Sequence, residues 1–228
     1  MLYNYVMEIK PIAKIYTSFK EKFGIPRQSC RGKNLYGKIV FEKEFRNPDS
    51  LRGIEEFSHL WLIFDFSQNH REEFSPTVRP PRLGGNTRVG VFASRSPFRP
   101  NNLGLSSVRL VKTETTADGT ILIVEGVDIL DGTPIYDIKP YLPSDCHVDA
   151  KGSYSDTTHK LNVAIDDSLL NLVEKTTLDA IISCIEDDPR PSYQEDSDRV
   201  YTMRFDNYDV SFKVENLNAT ILDIKNLD

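Results

Sequence analysis

The sequence predicts a mainly β chain: a closed or nearly closed sheet through about residue 150, then a small C-terminal α+β unit. Three observations predict it. Six segments rich in β-branched and aromatic residues fill the first 130 positions. Polar or Gly/Pro-rich breaks separate them, and many short strands with turn signals between them favour a sheet that closes on itself. After residue 150 the pattern changes to one helical period and a hairpin.

The strand segments are "EIKPIAKIYT" (8–17), "YGKIVFEKEF" (36–45), "HLWLIFDF" (59–66), "RVGVFAS" (88–94), "LSSVRLVKTE" (105–114) and "TILIVEGVDIL" (120–130). The breaks are "GIPRQSCRGKN", "PTVRPPRLGGN", "RSPFRPNNLG" and "ADG". One short helix is expected near "NPDSLRGIEEF", with Asp49 or Ser50 as N-cap. Beyond residue 150, Leu178, Ile181, Ile182 and Ile185 recur at helical spacing. Thr176 and Asp179 are spaced like a capping box, and Pro189 follows the helix. "RVYTMRFDNYDVSFKVENLNATILDIK" then reads as a hairpin turning at Asp206-Asn207 and a further strand. A boundary in "PSDCHVDAKGSYSDTTHK" gives domains 1–150 and 151–228.

Composition sets the class. With 39% hydrophobic and 27% charged residues, the 228-residue chain reads as an ordinary globular protein. No apolar run is long enough to span a bilayer, and the N-terminus lacks the pattern of a secretory signal. Three distant cysteines (Cys30, Cys146, Cys184) suit a reducing cytoplasm better than a disulfide framework. The net charge of −6 is unevenly placed: residues 151–228 hold 8 Lys+Arg and 16 Asp+Glu, leaving 20 and 18 for residues 1–150. Arg71, Arg79, Arg82, Arg88, Arg95, Arg99 and Arg109 fall within 40 positions. Such a cluster is either a solvated rim or a surface for an anionic partner.

Several chemistries are excluded. No two glycines are separated by a single intervening residue, so there is no G-x-G of a dinucleotide-binding turn. Gly32-Lys33 and Gly37-Lys38 are followed by Asn34 and Ile39, not Ser or Thr, so no Walker A loop exists. There is no G-x-S-x-G elbow, no C-x-x-C and no H-x-x-x-H, and no metal site is expected.

Three polar segments remain at the ends of apolar runs: "PRQSCRG" (26–32), "RSPFRPNNLGLS" (95–106) and "DGTPIYDIKPY" (131–141). Loops at strand ends are where sites are built on β-scaffolds. Pro97 and Pro100 stiffen the second segment around Phe98-Arg99. In the third, Asp137, Lys139 and Tyr141 share one face of an extended segment. That face is either a site with an acid, an amine and a phenol, or a solvated strand surface.

"VRPPRLGGNTRVGVFASRSPFRPNNLGLS" (78–106) and "DGTPIYDIKPYLP" (131–143) resemble the signature segments of the TsaA-like (YaeB/TrmO) family. "KEKFGIPRQ" (20–28) and "RGIEEFSHLWLIFDF" (52–66) are similar to that family as well, and "DPRPSY" (188–193) resembles the extension of its longer bacterial members. The resemblance covers residues 8–143 and extends with the last motif to nearly the whole chain. It implies a single-sheet β-barrel with a small appended α+β domain. It also implies a cytoplasmic, dimeric S-adenosylmethionine-dependent methyltransferase acting on N6 of threonylcarbamoyladenosine next to the anticodon of tRNA.

By that resemblance, cofactor contacts fall to Gln28, Ser29, Cys30, Phe66, Ser67, Arg95, Leu105, Gly132, Thr133, Pro134 and Ile135. Phe66 and Leu105 have plain core packing as their alternative, Arg95 a surface ion pair, and Gly132 the turn alone. Asp137 is the candidate base, with Asp131 as its equal, Lys139 the stabiliser of developing charge and Tyr141 a positioning donor. Arg79, Arg82 and Arg99 are candidates for RNA phosphate, with Lys33 weaker and Arg190 and Tyr193 as outliers. Phe98 either stacks on a base or plugs the barrel mouth. Two other functions fit the same barrel: a non-catalytic S-adenosylmethionine-binding regulator and a small-molecule methyltransferase.

Overall fold

The computed structural model describes residues 8–117, 119–155, 160–191 and 196–228. The first part contains β1 (Ala13–Thr17), β2 (Tyr36–Phe41), β3 (His59–Asp65), β4 (Thr77–Val78), β5 (Val89–Gly90), β6 (Leu103–Thr116), β7 (Gly119–Glu125) and β8 (Thr133–Pro140). Six of these close into a barrel in the order β1-β2-β7-β6-β3-β8, every neighbouring pair antiparallel. Period-two alternation drives the closure: Leu60, Leu62 and Phe64 of β3 point inward against Val108, Val124, Ile39, Ile15 and Ile135. Each such side chain contributes about 1.5–3 kcal/mol when fully buried.

The closing strand, β8, carries a bulge. Ile63 pairs with Asp137 but the next residue, Phe64, pairs with Ile135, leaving Tyr136 as the extra residue. The bulge turns both Ile135 and Ile138 toward the interior and leaves Asp137 and Lys139 outside, opposite Ile63 and Trp61.

Two expected elements differ. "NPDSLRGIEEF" forms two 3-10 turns, Pro48–Leu51 and Ile54–Glu56, capped by Asn47 rather than Asp49 or Ser50. Gly53, at φ 85°, ends the first turn and prevents a continuous helix. "RVGVFAS" supplies only β5 and a 3-10 turn at Val91–Ala93, paired with β4 rather than with the barrel.

The second part contains β9 (Asn162–Ile165), α1 (Lys175–Glu186), β10 (Tyr201–Phe205), β11 (Tyr208–Glu215) and β12 (Asn218–Asn226). The sheet runs β10-β11-β12-β9, with β9 parallel to β12. The hairpin turns at Asp206-Asn207 as the sequence indicates, Asp206 taking φ 53°. Helix α1 starts one residue before the expected cap: Glu174 is the N-cap and Thr176 lies inside the first turn, so no Thr176/Asp179 box forms.

One core runs through both parts. The segment between β1 and β2 belongs to the barrel by chain order but packs on the second sheet. Phe19 meets Phe205 edge-on at 5.6 Å, and Phe23 stacks on Tyr201 and Phe212 at 6.2 and 6.3 Å. Below them Asp187, only 4% exposed, takes Arg31 at 2.5 Å and the Arg27 N–H at 3.3 Å. Arg27 reaches on to the carbonyls of Asp188 and Arg190.

Candidate functional site

A cleft of about 1960 Å³ opens beside one end of the barrel. Its walls come from the 22–31 loop, the end of β3 and the loop after it, the 75–99 region, the start of β6, residues 128–133, and residues 151–154 and 184–191. The polar segments "PRQSCRG" and "RSPFRPNNLGLS" meet here: Arg95 donates to the Gln28 side-chain oxygen across 67 positions of chain.

Local chemistry holds each loop in place. The Cys30 N–H donates to the Gly126 carbonyl at 2.9 Å, and both residues take positive φ, 60° and 83°. A Cβ on Gly126 would lie 2.9 Å from the Cys30 sulfur, so the two chains approach closely only because Gly126 lacks one. Asn102 folds the proline-stiffened loop: its side-chain N–H donates to the Pro97 and Asn69 carbonyls, and its own carbonyl accepts from Phe66 N–H.

Among the described residues, three carboxylates line the cleft: Asp65, Asp128 and Asp187. Asp65 is bonded to His70 Nε2 at 2.7 Å, and Asp187 is held by Arg31 and the Arg27 N–H. Asp128 differs. Its residue is half-buried, yet its Oδ1 is sealed from solvent and has no hydrogen-bond partner. Burial raises its pKa to about 6, against the opposing pull of the Ser106 hydroxyl, its own N–H, the Arg95 guanidinium and the Ser29 N–H. Sequence reasoning missed Asp128, because "GVDIL" reads as a strand end with one polar residue.

Of the candidate cofactor residues, Gln28, Phe66, Ser67, Arg95, Leu105 and Thr133 line the cleft. Leu105 points away from the barrel interior and is 57% exposed, so core packing does not account for it. Phe66 packs edge-on against Phe64 at 5.2 Å. Ser29 and Cys30 lie outside the lining, Cys30 exposed and bonded to the connection that follows β7. Gly132, at φ 73°, bonds the Ile15 carbonyl at 2.9 Å; Pro134 follows in β8, and Ile135 is wholly inside the barrel core.

The candidate catalytic group lies elsewhere. Asp137 and Lys139 pair with each other at 2.9 Å on the outer face of β8, and Tyr141 lies against Trp61 at 5.1 Å. Asp131 accepts from Thr17 N–H at 2.8 Å and pairs with Lys20 at 2.9 Å. None of the four belongs to the cleft lining.

Of the RNA candidates, Arg79, Arg82, Phe98 and Arg99 all line the cleft. The Arg99 guanidinium donates to the Val91 and Ser94 carbonyls, and Arg71 covers the Phe98 ring at 3.5 Å. The exposed aromatic of this wall is Phe92, at 74%. Its strand-like setting in the sequence concealed it. Lys33 is bonded through its backbone to Ser183, Arg190 pairs with Asp188, and Tyr193 lies outside the described residues. Among the described residues, no His, Cys, Asp and Glu are grouped to hold a metal ion, and no helix is long and apolar enough to cross a membrane.

The fold is a six-stranded antiparallel barrel with loop-built walls and an appended sheet, and its sequence has no glycine-loop nucleotide turn. Residues 14–146 match the tRNA-methyltransferase O N-terminal domain, and residues 158–227 match the TrmO C-terminal domain. The chain belongs to the TrmO family, as the sequence resemblance indicates. It is 38% identical over 220 residues to the tRNA (adenine(37)-N6)-methyltransferase of Escherichia coli (strain K12), covering 91% of this chain and 93% of that one. It is 37% identical to a putative S-adenosylmethionine-dependent methyltransferase, RcsF, of Pseudomonas aeruginosa, covering 89% and 90%. A crystal structure of TrmO from P. aeruginosa superposes with a TM-score of 0.80 at 30% identity, covering 99% of this chain and all of that one.

Proposed function

We propose that this protein transfers a methyl group from S-adenosylmethionine to N6 of adenine 37 in tRNA, the adenine carrying a threonylcarbamoyl group. The observation that carries the reading is the near full-length relation to a tRNA (adenine(37)-N6)-methyltransferase. The cleft supports it: about 1960 Å³ exceeds the roughly 300–1000 Å³ usual for small-molecule pockets and suits a donor together with a flipped-out nucleotide. The relation to tRNA (adenine(37)-N6)-methyltransferases disfavours both a small-molecule acceptor and a non-catalytic regulator.

The residues present fit the donor. It supplies an activated methyl on a sulfonium, with a carboxylate and an ammonium at its amino-acid end. Arg95 and Gln28 offer a cation and an amide at the cleft wall for the donor's polar end. Leu105, Phe66, Ser67 and Thr133 complete the wall, while the Gly132 N–H fixes the turn before Thr133 on the Ile15 carbonyl. Holding donor and acceptor in line supplies most of the acceleration for such a displacement. Arg79 and Arg82 are assigned to phosphate, with Phe92 as the exposed ring for stacking. A second copy covering the exposed Leu103 and Leu105 would make a dimer, and a tRNA substrate implies the cytoplasm.

The test is transfer of labelled methyl to tRNA with and without threonylcarbamoyladenosine, followed by digestion to nucleosides. Label at N6 in the modified tRNA alone is the expected result. Label in neither, with donor binding confirmed by calorimetry, overturns the reading.

A further inference from the structure

We propose that Asp128 is the catalytic base of this cleft, its carboxylate accepting the proton that leaves N6 of the acceptor adenine as the methyl arrives. The proposal rests on the tRNA-methylation reading above. It is carried by elimination within the cleft. Of the three carboxylates lining it among the described residues, Asp65 is held by His70 and Asp187 by Arg31. Asp128 carries no ion pair, and its sealed Oδ1 leaves the other carboxylate oxygen as the one available to the cleft, beside Arg95, Ser106 and the Ser29 N–H, where the donor loops converge. Asp131 and Asp137 are engaged by Lys20 and Lys139 outside the lining.

The chemistry needs such a group. The acceptor N6 shares its lone pair with the ring and with a carbonyl, so it gains nucleophilicity only as its N–H bond weakens. In the step, the N6–methyl bond forms while the sulfonium–methyl bond breaks. That bond's electron pair returns to sulfur, giving a neutral thioether. The N6–H pair becomes the nitrogen lone pair, and the proton goes to Asp128. A carboxyl with pKa near 6 is a stronger base than an ordinary aspartate, yet is ionised at neutral pH. Among the described residues, the titratable groups acting on it are Arg95 and the Cys30 thiol.

The experiment is single-turnover methylation of threonylcarbamoyl-bearing tRNA from pH 5 to 8, with calorimetric donor affinity measured in parallel, for the unchanged chain, Asp128→Asn and Asp128→Glu. The unchanged chain should show a rate rising through about pH 6 and then levelling. Asp128→Asn should lose about a hundred- to ten-thousand-fold in rate and lose the rising limb, with donor Kd within about threefold. Asp128→Glu should restore part of the rate together with a limb. A rate for Asp128→Asn within tenfold of the unchanged chain, or a persisting limb near 6, overturns the proposal. So does a loss explained wholly by weaker donor binding. Absence of transfer by the unchanged chain would instead sink the function reading, and the base with it.

Discussion

Asp128 and Asp131 stand three residues apart on one short connection, yet the fold treats them oppositely. Asp131 is fully engaged, with Thr17 N–H on one oxygen and the Lys20 ammonium on the other. It locks the turn that carries the chain from β7 to β8. Asp128 faces the cleft with one oxygen sealed and unpartnered. Stability would favour replacing Asp128 and keeping Asp131. A carboxylate that the fold holds at a cost, at the edge of a cleft, is a candidate for function, while one that the fold satisfies is a structural part.

The comparison can be broken at several points. After the rate loss of Asp128→Asn, a large effect is expected on donor affinity: Arg95→Ala removes the partner of Gln28 and a cation that acts on Asp128, and should weaken donor binding about 10- to 100-fold by calorimetry. Unchanged affinity would detach this wall from the donor.

Next come two stability changes of opposite sign. The Asp128 carboxyl binds its proton more tightly folded, near 6, than unfolded, near the ordinary 3.8. Its contribution to stability is therefore present below about pH 4 and is lost as pH rises through about 6. Asp128→Asn should stabilise the fold at pH 8 by up to about 3 kcal/mol while removing activity. Asp131→Ala leaves the buried Thr17 N–H unpaired and should destabilise it by about 1–3 kcal/mol at the same pH. Thermal unfolding of both variants reads the two signs, and a shared sign would remove the contrast.

A smaller effect is expected on the outer face of β8. The Asp137–Lys139 pair is exposed, so Asp137→Ala should change stability by less than about 1 kcal/mol. Its loss in transfer rate should be at least tenfold smaller than that of Asp128→Asn. If Asp137→Ala were the more damaging, the proton would leave on the outer face and the assignment would invert.

The smallest effect concerns Cys30, whose thiol is raised by burial, then by Asp128 and Glu125. Asp128→Asn removes one of those negative charges. Alkylation of Cys30 at pH 8, followed by peptide mass spectrometry, should quicken a few-fold.

Much of the barrel was legible because inward and outward residues alternate along β1, β2, β3 and the first half of β6, and burial enforces that period. The helix α1 and the hairpin at Asp206 were legible for the same local reasons. The failures are also local in origin. Gly53 ends a turn that the pattern would continue, and "VFAS" has strand composition without a barrel neighbour. The closing strand β8 was read as a polar segment because its bulge leaves Asp137 and Lys139 outside.

For the site, the sequence by itself determined that loops at strand ends carry the polar chemistry, that no glycine-loop nucleotide fold exists, and that "PRQ" and "RSPFRPN" matter, since each of these follows from residue type and spacing. Tertiary structure alone decided that Gln28 meets Arg95, that Arg99 bonds backbone carbonyls, and that Phe92 is exposed while Phe98 is covered. It also decided that Asp128, rather than Asp131 or Asp137, faces the cleft without a full set of partners. The reason is physical: a strand's period says which residues share a face, but burial and the positions of distant partners settle which carboxylate is left unsatisfied.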